Sequence, residues 1–304
     1  MVKSPITKQE AKLITTFPTD RIIEGYRIHE KVDVRRFFEG IDEIGLYQCQ
    51  QTGYRFFHPS SIFGDGKFYE DLERENEAYY PKKKWEHQYV ASQVKASEKV
   101  LEVGAGDGFF LEILRKRGIH ATGLELNDKA IEAGRANGLD MHNELIQTHA
   151  DVHAGEYDVL CAFQVLEHIY DVDDFLKACL KAVKKGGRVI FGVPNNNPYL
   201  YKHNKWDLLN LPPHHAGHWS PAAFRALPGY YDVHISKLIV ERLHYKLGQY
   251  KIWYLAQRDY YLETKPWLGK LMSAVPRPLY KMLTAAVSPF IQGRNIIVIF
   301  TKTK

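Results

Sequence analysis

The stretch "VLEVGAGDGFF" (100–110) decides how the chain is read. A β-branched run ends in Gly104, Gly106 and Gly108, and helical spacing starts just behind it in "DGFFLEILRKRG" (107–118). Glycine lets the backbone approach a bound group closely, and the first amides of the following helix then face that group. A dinucleotide-binding turn follows G-x-G-x-x-G, with the third glycine allowing tight helix–strand packing. Phe109 stands at that third position, and the pattern here is instead E-x-G-x-G-x-G, beginning at Glu102. Glu125 ends the next strand-like run, "HATGLEL" (120–126), where a carboxylate accepts from the hydroxyls of a ribose.

Working outward, the same alternation continues. "NDKAIEAGRANG" (127–138) reads as a helix capped by Asn127 and stopped by Gly138, and "YDVLCAF" (157–163) as a buried strand. "DVDDFLKACLKAVKKGG" (171–187) reads as an amphipathic helix with acids first and lysines last, matching the helix dipole, and "RVIFGVPN" (188–195) as a strand. Strands alternating with helices of this length predict an α/β fold, a parallel sheet covered on both faces. "HISKLIVERL" (234–243) and "NIIVIFTKTK" (295–304) are two further strands, expected to pair antiparallel at one sheet edge around an insert at 244–293. Residues 1–85 read as an irregular accessory region and 86–304 as the main domain.

The glycine loop with its acidic partner, "LEVGAGDG" then "GLELN", resembles motif I and the following acidic strand end of class I S-adenosylmethionine (SAM) methyltransferases. "EYDVLCAFQVLEHIYDVDDFLKACLKAVKKGGRVIFGVPN" (156–195) is similar to that family's fourth strand, helix and fifth strand, and "QVLEH" (164–168) to the branch that contains ubiquinone-type and glycan methyltransferases. The resemblance covers about residues 80–243 and the last strand. It implies a Rossmann-like seven-stranded sheet of order 3-2-1-4-5-7-6 with strand 7 antiparallel, and SAM as cofactor. By position it places Glu102, Gly104, Ala105 and Gly106 around the methionine part of SAM, Glu125 on the ribose, and Leu126 and Asn127 beside the adenine. Phe163, Gln164 and Val165 approach the sulfonium, Glu144 and Leu145 flank the adenine, and Tyr80 and Trp85 close over the cofactor or simply pack. Glu167 and His168 either do acid–base work, as a Glu–His pair is thought to in some sugar C-methyltransferases, or orient the next segment.

"LYQCQQTGYRFFHP" (46–59) resembles the second half of a zinc ribbon, but Thr52 stands where the second cysteine belongs and no upstream pair exists, so no metal is expected there. "NLPPHHAGHWSP" (210–221) gathers His214, His215 and His218. Pro212-Pro213 and Gly217 break the helix that would set His214 and His218 on one face, and no carboxylate cluster accompanies them, so metal is not expected here either. Ser220-Pro221 is an N-cap and N1 pair, which places the histidines on a loop at the ligand-binding edge of the sheet. There His214 or His215 is expected to act as general base, and His218 and Trp219 to wall the acceptor pocket; the alternative is a polar lid.

Twelve Lys/Arg against three Asp/Glu from Val233 onward give that quarter about +9, within a chain of net +5. In "RPLYKMLTAAVSPF" (277–290) apolar residues fall in a helical stripe among cations, so contact of 250–291 with an anionic membrane competes with packing on the protein itself. Three scattered cysteines and the lack of a long apolar run imply a cytoplasmic setting, with peripheral membrane contact at most. The favoured reading is O-methylation of a sugar or other polar small-molecule hydroxyl, in a glycan or glycolipid context, with N- or C-methylation as alternatives. Other readings are a non-catalytic SAM-binding scaffold and a nicotinamide-dependent oxidoreductase, which Phe109 disfavours. No nucleic-acid target motif is present.

Overall fold

The structure is a computed structural model that describes residues 1–76, 84–243 and 249–304. The chain starts with β1 (Ala11–Pro18), α1 (Thr19–Gly25), β2 (Glu43–Cys49), β3 (Arg55–His58) and α2 (Gly66–Glu75). The alternating part follows: α3 (Trp85–Gln93), β4 (Val100–Val103), α4 (Phe109–Arg115), β5 (Ala121–Glu125), α5 (Asp128–Ala136), β6 (Asp140–Asn143), α6 (Ile146–Val152), β7 (Tyr157–Phe163), α7 (Val172–Ala182) and β8 (Val183–Pro194). Last come β9 (Gly217–His218), α8 (Pro221–Ala226), β10 (Val233–Arg242), α9 (Gln249–Thr264), α10 (Pro266–Ala274), α11 (Arg277–Val287) and β11 (Gln292–Lys302).

Seven strands form one sheet in the order β10-β11-β8-β7-β4-β5-β6. Renumbered within the sheet this is the expected 3-2-1-4-5-7-6. β11 runs antiparallel to both neighbours, and the pairs β7/β8, β4/β7, β4/β5 and β5/β6 are parallel. All four residues of β4 are buried, as a central strand covered on both faces requires. Leu101, Leu160, Ala162 and Phe191 belong to one core cluster, with Cys179 and Ala182 of α7 and Phe224 of α8. Val100, Cys161 and Ile190 belong to another, with Val90 of α3 and Phe110 and Leu114 of α4.

Helix α7 stops five residues before the expected glycine end. Val183 is fully buried and pairs with Tyr157, and the next pair is Val159 with Arg188, so Lys184–Gly187 bulge out between them. Gly186 supplies the left-handed φ of +77° that this bulge needs, and Lys184 Nζ reaches Asp158 Oδ1 at 2.8 Å.

Residues 1–76 are not irregular. β1, β2 and β3 form an antiparallel sheet whose fourth strand, β9, comes from the far end of the chain. Its own core holds Phe17, Ile22, Tyr26, Val34, Phe57 and Phe68, with Leu211 from just before β9. In the β2–β3 turn Thr52 Oγ1 accepts from the Tyr54 amide at 3.2 Å, and Gly53 turns at φ +73°. Polar residues interrupt the alternation in "AKLITTFP" and "EIGLYQC", which hides these strands from a periodicity reading.

Candidate functional site

The glycine loop follows β4 with Gly104, Gly106 and Gly108 at φ +72°, +55° and +80°. A side chain at Gly104 would run into Val165 Cγ2, whereas nothing lies within 4 Å of a Cβ at Gly106, so the loop is open there. The amides of Gly104 and Ala105 donate to Leu124 O at 2.8 and 3.0 Å. The Glu125 carboxylate ties the next strand end to the loop. Its Oε2 accepts from the Gly106 amide at 2.8 Å, and its Oε1 from the amides of Leu126 and Asn127 at 2.8 and 3.0 Å. Asn127 Oδ1 in turn caps α5 through Lys129 and Ala130.

Leu126 and Leu145 project into solvent at 58% and 54% exposure on the same sheet edge, apolar surface of the kind a flat aromatic base covers. Glu144 is used differently: its Oε2 meets His149 Nδ1 at 2.9 Å, and His149 Nε2 meets the Tyr157 hydroxyl at 2.8 Å. At the end of β7, Phe163 packs edge-on to Phe110 at 5.0 Å and to His87 at 4.8 Å. Gln164 takes a left-handed φ of +59°, a conformation costing a non-glycine residue about 1–2 kcal/mol. Its amide donates to Gly192 O at 2.7 Å, and its Nε2 is buried with no partner among the described residues. Backbone strain of this kind collects at ligand sites.

Gly104→Ala tests the loop. The new methyl meets Val165 and is held at positive φ, so folding stability falls by about 1–2 kcal/mol, read as a lowered denaturation midpoint. Gly106→Ala meets no atom but keeps the φ cost, so any loss of cofactor affinity beyond its stability change reports a methyl in the ligand's space.

Behind the loop lie three buried carboxyls. Burial pushes Glu102 well above the carboxylate range, Glu86 up to about 7 and Glu167 up to about 8. Glu102 Oε2 and both carboxylate oxygens of Glu167 have no hydrogen-bond partner among the described residues. The Lys84 charge opposes these upward shifts at all three. Trp85 opens α3 half-buried against the Val90 cluster, its Nε1 buried and without a partner among the described residues. Tyr80 lies outside the described residues.

Two of the loop histidines join a third from the "QVLEH" segment. The ring centroids of His168 and His214 are 4.7 Å apart, those of His168 and His215 4.9 Å, and those of His214 and His215 4.6 Å. The acceptors around them set the tautomers. His168 Nδ1 donates to His214 O at 2.7 Å, His214 Nδ1 to Leu209 O at 2.6 Å, and His215 Nδ1 to Asn210 Oδ1 at 3.1 Å. Each imidazole therefore carries its lone pair on Nε2. Burial holds all three neutral: His168 is lowered to about 4, and His214 and His215 lie well below the usual range, helped by neighbouring imidazoles. The Tyr69 hydroxyl braces the group, 3.1 Å from His168 Nδ1 and donating to His214 O at 3.2 Å.

His218 and Trp219 are elsewhere. His218 sits in β9 opposite Arg55, donates from Nε2 to Asn210 O at 2.8 Å and is not one of the three. Trp219 is fully buried, stacked on Phe224 at 4.6 Å and tilted on Tyr54 at 4.4 Å, with Nε1 donating to Leu166 O. It clamps the N-terminal sheet to the main domain. The loop is no exposed lid, since His214, His215 and His218 are all at least 93% buried.

Tyr69, Lys84, Glu86 and Asn210 escape a reading of the sequence alone. Tyr69 is one aromatic among many in the N-terminal region, and Asn210 reads as an ordinary loop residue. "KKKWEHQ" (82–88) does carry a faint signal, since an acid and a histidine stand beside a tryptophan at a helix start.

A family model described as "Methyltransferase domain" matches residues 75–228. A ubiquinone biosynthesis O-methyltransferase of Pectobacterium atrosepticum is 34% identical over 117 residues, covering 36% of this chain and 48% of that protein. The enzyme of the same description from Sodalis glossinidius is 34% identical over 107 residues, covering 33% and 43%. The chain thus spans about half the length of the curated relatives it matches. A SAM-dependent methyltransferase structure from Archaeoglobus fulgidus aligns with 71% of this chain and 94% of its own, at 15% identity and a TM-score of 0.47.

Proposed function

We propose that this chain, which belongs to the methyltransferase-domain family, is a SAM-dependent methyltransferase that methylates a hydroxyl oxygen of a sugar or other polar small molecule. The observation that carries this reading is the convergence of His168, His214 and His215, three neutral imidazoles with Nε2 lone pairs. A hydroxyl acceptor must lose its proton to become a good nucleophile, and a neutral imidazole can accept one, though weakly here because burial lowers all three. The matched relatives are O-methyltransferases by name, which supports oxygen as the acceptor atom.

Bound SAM supplies an electrophilic methyl group on a sulfonium. The chain's residues hold and orient. Gly104, Ala105 and Gly106 form the cradle, whose open space over Gly106 fits a ligand lying against the backbone. Glu125, whose carboxylate is partly exposed, would hold the ribose, and the exposed Leu126 and Leu145 would lie against the adenine. Phe163, the strained Gln164 and Val165 would border the methyl-donating end. Most of the acceleration comes from holding acceptor and methyl in line, with Tyr69 and Asn210 keeping the imidazoles aimed. Glu167, largely protonated at neutral pH, adds no negative charge beside them. Incubation with methyl-labelled SAM and candidate acceptors tests the reading: label on oxygen supports it, and label only on nitrogen or carbon overturns it.

We also propose that residues 250–291 rest on an anionic membrane or an amphiphilic acceptor. No helix among the described residues is long and apolar enough to cross a bilayer. Helix α11 is inside out, however: it buries Thr284, and Ser288 just beyond it, while Met282, Leu283 and Val287 stand 61%, 52% and 47% exposed. Trp267 and Phe290 are likewise exposed, at 69% and 88%, and Lys265, Lys270, Arg277 and Lys281 lie among these residues along the chain. Such a patch marks an interaction site, and the cations suit anionic headgroups. Co-sedimentation with phosphatidylserine vesicles is expected at low salt, weakening as salt rises. Met282→Asp with Leu283→Asp should abolish it, and lack of binding by the wild type at low salt overturns the proposal.

A further inference from the structure

We infer that His168, His214 and His215 form a binding site for one divalent d-block metal ion, zinc being the best fit. One ring nitrogen from each lies within 4.8 Å of the other two. The donor set comes from two places in the chain, His168 from the turn after β7 and the pair from the loop before β9, which is why the loop alone carries no metal spacing.

Geometry and chemistry support the assignment together. A zinc-bound histidine coordinates through one nitrogen and donates the other N–H to a carbonyl, carboxylate or water, which fixes the ring and makes the ligand more basic. All three rings have this arrangement: Nδ1 of His168, His214 and His215 donates to His214 O, Leu209 O and Asn210 Oδ1. Asn210 is itself held, its Nδ2 donating to Asn196 Oδ1 at 2.9 Å. The remaining nitrogen on each ring is Nε2. Ligands about 2.0–2.1 Å from a tetrahedral zinc stand about 3.3 Å apart, so small ring rotations close the group onto one ion. His218 lies outside this group, its Nε2 turned to Asn210 O.

Three imidazole ligands and an open fourth position are the pattern of a catalytic zinc, whereas structural sites fill all four positions. His168 is the least buried of the three. A divalent ion there lowers the pKa of an oxygen ligand, which suits it to bind the acceptor hydroxyl in place of unaided imidazoles. This use rests on the O-methylation reading; the binding of the ion does not.

The test uses untagged full-length protein, stripped with chelator and titrated with Co²⁺ or Zn²⁺ without acceptor. One ion per chain is expected, with the visible absorption of low-symmetry cobalt(II) and a zinc X-ray absorption edge showing a shell of three imidazoles. His168→Gln and His215→Ala should lose the ion, and Asn210→Ala should weaken it about 10–100-fold. SAM binding by each variant shows that it is folded. Should the variants not fold, the X-ray absorption of the wild type decides alone. No retained metal, a shell without three imidazoles, or undiminished binding in folded His168→Gln and His215→Ala overturns the site. Label found on nitrogen or carbon would overturn the O-methylation reading and leave the metal result standing.

Discussion

His215→Ala is expected to lower turnover about 10²–10⁴-fold, the range for losing acid–base assistance, while leaving SAM affinity unchanged. The two effects separate because, among the bonds of the described residues, those of the glycine loop and Glu125, which hold the cofactor in the proposed arrangement, do not run to the histidine group. His214→Ala should behave in the same way. It leaves Leu209 O without its imidazole donor, so a modest drop in melting temperature accompanies the kinetic loss. Steady-state rates on the labelled acceptor, with calorimetric SAM binding, check both. Near-wild-type kcat in both variants would remove the loop from the chemistry and leave His168 as the remaining candidate base. His218→Ala, which touches none of the three Nε2 atoms, should act on stability through its bond to Asn210 and its packing on Phe57 more than on kcat.

Glu125→Ala should weaken SAM by about 2–3 kcal/mol, or roughly 30- to 150-fold in Kd. The loss has two sources. The proposed ribose bonds to a charged acceptor disappear, and the Gly106, Leu126 and Asn127 amides lose the carboxylate that orders them. Glu125→Gln keeps one acceptor oxygen and should fall in between. Equal calorimetric affinity of wild type and Glu125→Ala would take Glu125 out of the ribose role.

Features that depend on neighbours along the chain are legible in the residue types themselves. The loop at 104–108 needs left-handed backbone at three positions, and only glycine takes it at little cost. Asn127 and Ser220 cap helices with their own side chains, so the cap is visible in the residue type. Continuous burial of β4 and β7 shows as unbroken apolar runs, and their alternation with helices predicts the parallel sheet, its order following from the family resemblance. Helix α7 ends earlier than its residue pattern predicts, because a buried β-branched valine and a glycine bulge outweigh a lysine-rich tail that suits the helix dipole.

The sequence by itself therefore determined the α/β class, the glycine cradle, the acidic strand end and the position of the histidine loop, because each is written in backbone preference or in hydrophobic period over a few residues. Only the tertiary structure decided that His168 meets His214 and His215 across about forty-six residues, that Gly217 and His218 complete the N-terminal sheet, and that Trp219 is a clamp. It also decided that α11 turns its apolar stripe outward. These are matters of which surfaces pack and which lone pairs find donors, and packing depends on residues far apart in the chain, where local pattern carries no information about direction.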